Sequence, residues 1–111
     1  MKTRKKICYL FVFDGFADHE VLPLVARVCN PNLYQLKTIA ISKDPVRAMS
    51  GMTILPDLDF KPEVDLYDID DDNTAMLILP GGSPDKISAL VDHCIANDIP
   101  IYSELYEESY S

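Results

Sequence analysis

Apolar residues recur along this chain in two rhythms. Ile7 to Phe13 is an unbroken apolar run with β-branched and aromatic members, the pattern of a strand buried on both faces in a parallel sheet. Asp14-Gly15 ends it. From Asp18 the period lengthens, and Val21, Leu22, Leu24, Val25 and Val28 fall at helical spacing. Asp18 is the expected N-cap, and Pro23 is tolerated if it lies in the first turn. Asn30-Pro31-Asn32 stops the helix. A second strand lies within Tyr34 to Ser42, best formed at Lys37 to Ile41. Val46 to Met49 and Met52 to Leu55, separated by Ser50-Gly51, predict a hairpin or strand pair. After a long acidic loop, Ala75 to Leu79 is a third fully apolar strand, closed by Pro80-Gly81-Gly82-Ser83-Pro84. Asp85 to Ala96 predicts an amphipathic helix with Ile87, Leu90, Val91, Cys94 and Ile95 inward. Ile99-Pro100-Ile101 begins another buried strand.

The order β-α-β, hairpin, β-α-β argues for an α/β fold with a mostly parallel sheet. Right-handed crossovers then constrain the layers. If the first strand is central, the two helices lie on opposite faces of a five- or six-stranded sheet.

Charge narrows the partners. The formal net charge is −8, with Asp57, Asp59, Glu63, Asp65, Asp68, Asp70, Asp71 and Asp72 gathered around a single Lys61. Nucleic-acid phosphates require the opposite sign, so no nucleic-acid partner is expected. The basic start (Lys2, Arg4, Lys5, Lys6) precedes an apolar run too short for a signal peptide or a membrane span. A soluble, cytoplasmic protein without membrane contact is expected. Cys8, Cys29 and Cys94 are odd in number and lack metal-ligand spacing, which predicts buried packing rather than a disulfide framework. His93 is expected to face solvent. Asp68-x-Asp70-x-Asp72 imitates the start of a calcium loop, but Asn73 and Leu79 stand where glycine and glutamate are needed. No metal and no cofactor is expected.

Ligands of open α/β sheets bind beyond the carboxyl ends of the strands. Two stretches fall there, Asp14-Gly15-Phe16-Ala17-Asp18-His19-Glu20 and Leu79-Pro80-Gly81-Gly82. Neither carries a G-x-G-x-x-G or Walker pattern. Leu79-Pro80 also lacks the aspartate of a phosphoacceptor domain.

The segment Tyr9 to Glu20, the turn Leu77-Ile78-Leu79-Pro80-Gly81-Gly82 and the hairpin Met49 to Asp57 together resemble the ThiJ/PfpI family. That family belongs to the class I glutamine amidotransferase-like superfamily and includes the parkinsonism-associated protein deglycase. The resemblance runs from Ile7 to Ile101, about the first half of a typical member. It implies a flavodoxin-like, Rossmann-like three-layer sandwich with a cysteine nucleophile on a strand-to-helix elbow. It implies that Glu20 matches the glutamate that hydrogen-bonds this cysteine and takes part in proton transfer. Beside a helix N-terminus alone, Glu20 would contribute only roughly 0.3–1 kcal/mol. Gly82, preceded by Gly81, matches a glycine whose N–H helps form an oxyanion hole. Asp14, Gly15 and His19 are the loop residues near the site. The substrate implied is a small electrophilic or carbonyl compound, turned over by hydrolase, deglycase, glyoxalase-like or amidotransferase-like chemistry.

The departure comes after Ile101. Where the family continues through small residues to cysteine, this chain reads Tyr102-Ser103-Glu104-Leu105, with no cysteine after Cys94 and no histidine after His93. Ser103 lacks the elbow's small-residue turn. Residues 1–101 therefore read as the N-terminal part of a ThiJ/PfpI-like domain, truncated relative to the family. Residues 102–111 read as a divergent Tyr/Glu/Ser-rich tail, in which Tyr102, Tyr106 and Tyr110 would align on one side of a helix. A changed reading frame just after Ile101 would produce this pattern. Catalysis is expected to be incomplete. The alternative is a noncatalytic binding or assembly module using exposed sheet and tail, and a homo-oligomer is expected because uncovered sheet favours association.

Overall fold

The computed structural model describes residues 5–59, 61, 69–80 and 88–103. Its elements run β1 (Lys6–Phe11), α1 (Asp18–Val28), β2 (Tyr34–Ala40), β3 (Val46–Arg47), β4 (Thr53–Ile54), β5 (Leu58–Asp59), β6 (Thr74–Leu79), α2 (Ser88–Ala96) and β7 (Ile101–Ser103). Five strands form one sheet in the order β5-β2-β1-β6-β7, every neighbour parallel. The antiparallel pair β3–β4 stands apart, with Val46 opposite Ile54 and Arg47 opposite Thr53.

The central place of β1 follows from its sequence. Successive strand side chains point to opposite faces, so a strand apolar at every position needs cover on both. Cys8, Leu10 and Val12 pack with Val21, Leu24 and Val25 of α1. Tyr9 and Phe11 pack with Leu90 and Cys94 of α2, joined by Ile39, Leu77, Ile99 and Ile101. The two helices thus cover opposite faces, as the crossover argument requires. No helix among the described residues is long and apolar enough to cross a membrane.

Several local expectations are corrected. Asp18 is not the N-cap: Ala17 holds that position without a side-chain cap, and Asp18 is the first helical residue. Pro23 lies beyond the first turn of α1. Its missing N–H leaves a gap in the helical ladder, tolerable because Pro23 and His19 are both exposed. The acidic loop contains a strand, since Leu58 and Asp59 pair with Ile39 and Ala40 at the edge of the sheet. Ile95 is 45% exposed rather than inward. The last strand begins at Ile101, with Ile99 buried just before it. Helix α2 ends where Asp98 takes a left-handed φ of 59° and Ile99 N–H reaches back to Cys94 O at 2.9 Å. Aspartate tolerates that conformation better than most residues, and Pro100 then prevents the helix from resuming. Ile87, the predicted start of this helix and the tail beyond Ser103 lie outside the described residues.

Candidate functional site at the carboxyl ends of the strands

The loop from β1 to α1 is held by the hairpin. Gly15 N–H donates to Arg47 O at 2.7 Å, and Arg47 N–H donates to Asp14 Oδ1 at 3.0 Å. Met49 N–H donates to Phe16 O at 2.8 Å. Gly15 has a φ of +86°, which favours glycine, and Phe16 N–H closes the turn onto Phe13 O at 3.1 Å. These bonds place the loop at the carboxyl end of β1, where ligands of open α/β sheets bind.

Asp18 is 3% exposed. Ser50 N–H donates to its Oδ1 at 3.2 Å, and the Ser50 hydroxyl donates to its Oδ2. The Ser50 hydroxyl holds the Asp18 carboxyl below the usual carboxylate range, with the Ser50 N–H adding to the effect and burial opposing it. The hairpin tip is thereby fastened to the first turn of α1.

Glu20 lies in that turn with its side chain 58% exposed. His19 stands beside both acids, its Nε2 3.6 Å from Glu20 Oε2 and its Nδ1 4.0 Å from Asp18 Oδ1. Asp14, Gly15, His19 and Glu20 therefore share one loop and helix start. Gly81 and Gly82 lie outside the described residues. Pro80, fully buried, brings β6 to the same edge. Leu79 there pairs with Ser103 of β7, so the end of the last strand arrives beside the end of β6.

No cysteine reaches this edge. All three are free and buried. Cys8 pairs in register with Leu36 and Met76 near the amino ends of the strands. Cys29 follows the far end of α1, and Cys94 faces the sheet from α2. Burial pushes the Cys94 thiol up to about 12 and raises Cys8 as well, with Cys29 adding to the latter. Such thiols are poor nucleophiles.

A cavity of about 300 Å³ opens between the ends of β1 and β2, with Phe13, Asp14, Ile41, Ser42, Asp44 and Val46 among its lining. Asp70, Asp71 and Asp72 bring carboxylates together on the surface. Asp70 Oδ1, however, accepts from the N–H groups of Asp72 and Asn73, as in an ordinary turn before a strand. His93 does not face solvent freely. It is half-buried, its Nε2 lies 2.7 Å from Ile69 O, and it joins α2 to the approach of β6.

The joint between Asp18 and Ser50 and the backbone contacts of Arg47 were missed from the sequence. Nothing in local spacing links residues 32 or 33 positions apart. The available signal was a serine-glycine hairpin tip and an acid in a first helical turn.

The model of the DJ-1/PfpI family matches residues 5–96. Solved structures share the fold. A DJ-1 superfamily protein from Agrobacterium tumefaciens superimposes with a TM-score of 0.69 at 19% identity, covering 88% of this chain and 52% of that one. Drosophila melanogaster DJ-1beta gives a TM-score of 0.66 at 16% identity, covering 90% and 55%. An AraC family transcriptional regulator from Pseudomonas putida gives a TM-score of 0.59 at 13% identity, covering 88% and 63%. The chain spans about half to three fifths of these structures. No curated protein matches it. The family match covers most of the chain, and the parallel sheet with helices on opposite faces agrees with it: this chain belongs to the DJ-1/PfpI (ThiJ/PfpI) family and forms a partial domain of it.

Proposed function

We propose that these residues form the acid and backbone side of a DJ-1/PfpI-type site for a small electrophilic or carbonyl substrate, without supplying its nucleophile. The burial of all three cysteines away from the carboxyl ends of the strands carries this reading. A cysteine mechanism needs a thiolate at the edge that attacks the carbonyl carbon, a carboxylate that exchanges the proton, and N–H donors for the developing oxyanion. Glu20 is the carboxylate and Gly82, with Gly81, the donor side by family correspondence. With no thiol beside it, Glu20 has no sulfur proton to exchange. The 111-residue chain is expected to leave methylglyoxal unconverted beyond the buffer rate. Thiol-independent turnover that disappears in Glu20→Gln would overturn this reading.

The second reading is a noncatalytic binding or assembly module. It is supported by edge strand β7, which pairs only with β6 among the described residues, and by exposed Met49, Met52 and Leu55 on and beside the hairpin. Uncovered edges and apolar side chains favour association. The AraC-type neighbour places this fold in a transcriptional regulator. Sedimentation at rising concentration is expected to show self-association. A stable, cooperatively folding monomer without turnover argues for a binding module rather than an assembly one.

A further inference from the structure

The cavity between the ends of β1 and β2 has a chemistry that the site reading does not use. The two strands stay paired as far as Phe11 and Ile39, where Val12 N–H donates to Ile39 O at 2.9 Å, and then part. Phe13 and Asp14 form one wall of the resulting space of about 300 Å³, with Ile41, Ser42 and Asp44 on the other. The backbone of Arg47 ties the walls together through Asp14 Oδ1 at 3.0 Å and Gly15 N–H at 2.7 Å. That volume lies at the lower end of the range for small-molecule pockets. Phe13 is half-buried, its ring in tilted contact with Phe11 at 5.8 Å and Phe16 at 6.2 Å. Asp44 N–H donates to Ser42 Oγ at 3.0 Å, which shapes the loop. Among the described residues, neither the Asp44 carboxylate nor Asp14 Oδ2 has a hydrogen-bond or ion-pair partner. No lysine or arginine lines the cavity, and neither do His19 and Glu20.

We propose that this cavity binds a small organic cation of the arylalkylamine class, a primary ammonium group joined by a short chain to one flat ring. The ammonium carries a positive charge and three N–H donors. Asp44 and Asp14 Oδ2 offer it charged acceptors at the exposed rim, with the Ser42 hydroxyl oxygen between them in the chain. The ring lies toward buried Phe11 and Val12, against Phe13 and Ile41, where it extends an aromatic cluster already in place. An anion meets two carboxylates and no compensating charge. A bare metal ion fits poorly, because calcium takes six to eight oxygen ligands and the aromatic wall supplies none. A neutral ring gains the apolar contact and leaves both carboxylates unused. Glu20, Gly81 and Gly82, which carry the carbonyl reading, do not line this cavity, so the amine site stands or falls separately from it.

The test titrates the full chain with phenethylammonium, read by ligand-observed NMR and by backbone amide shifts. Saturable binding with a Kd below about 1 mM is expected, with the shifts concentrated at Phe13, Asp14 and Ile41 to Val46. Ethylammonium and Nα-acetyl-lysine amide, which carry the charge without the ring, should bind at least about tenfold more weakly. Phenethyl alcohol, the ring without the charge, should weaken by a similar factor, and phenylacetate should not bind. Asp44→Asn removes a carboxylate that has no partner among the described residues. It should weaken phenethylammonium at least about fivefold and leave the melting temperature unchanged. The wild-type ligand series decides the matter even if the variant fails to fold. A net charge of −8 attracts any cation, so selectivity is the deciding readout. Equal binding of either ring-free amine or of phenethyl alcohol overturns the proposal. So do shifts centred on Asp70 to Asp72, undiminished affinity in Asp44→Asn, or no saturation by about 10 mM phenethylammonium. Each of these failures leaves the carbonyl reading untouched, since that is decided by methylglyoxal turnover and Glu20→Gln.

Discussion

Ser50 closes on Asp18 from two directions, its backbone N–H on one carboxylate oxygen and its hydroxyl on the other. This joint fixes the hairpin tip to the start of α1 and explains how a carboxylate at 3% exposure stays ionised. Its two donors replace lost water.

Replacing the joint should be felt most in acid. The Asp18 carboxyl is held below its ordinary range, so its contribution to stability is full above the unfolded value of about 3.9 and is lost as pH falls through the lower folded value. Asp18→Asn is expected to lower the urea midpoint at neutral pH, and the difference from wild type should vanish in strong acid. A difference independent of pH would show that the charge plays no part. Ser50→Ala should also destabilise, because it leaves one buried oxygen without its donor.

Gly15→Ala tests the turn beneath the candidate site. A Cβ there meets open space, so the penalty comes from the backbone, whose φ is +86°. A loss of about 1–2 kcal/mol is expected in chemical denaturation. An unchanged midpoint would mean that the loop relaxes to negative φ, releasing Gly15 from Arg47.

Leu90→Ala tests whether α2 holds its face of the sheet. Leu90 is 1% exposed among Tyr9, Phe11, Leu77 and Ile101. The deletion should cost about 2–5 kcal/mol. That is a large share of the stability of a small domain. Ile95→Ala, at a residue 45% exposed on the same helix, should cost far less.

The buried thiols should make the protein sensitive to alkali. Cys94 is raised to about 12 and Cys8 upward by burial, so the folded state favours the protonated form. That contribution is full below the unfolded thiol value of about 8.5 and is lost as pH rises toward the folded values. Urea midpoints are therefore expected to fall above about pH 8.5, with native-state alkylation slow until urea opens the core. Rapid labelling of Cys94 in the folded protein would contradict its position.

Much of the fold was legible because each strong periodicity maps onto one environment. The continuous run Ile7 to Phe13 required cover on both faces, and the chain places β1 at the centre with a helix on each side. Strand β5 was hidden because two residues amid acids carry no period, and it forms only by edge pairing with Ile39 and Ala40. Ile95 fits the apolar rhythm of α2 but faces outward, since periodicity does not define the width of the sheet beneath.

By itself the sequence determined the alternation of strands and helices, the family pattern around Glu20 and the Leu79-Pro80 turn, and the lack of any cysteine after Cys94. Those properties reside in residue type and short-range spacing. Only the tertiary structure decided that Asp18 binds Ser50 instead of capping its helix, that Arg47 braces the Asp14-Gly15 loop, and that Cys8 and Cys29 both lie in the core beneath α1. Such contacts depend on how crossovers bring distant segments together, and no local pattern encodes that geometry.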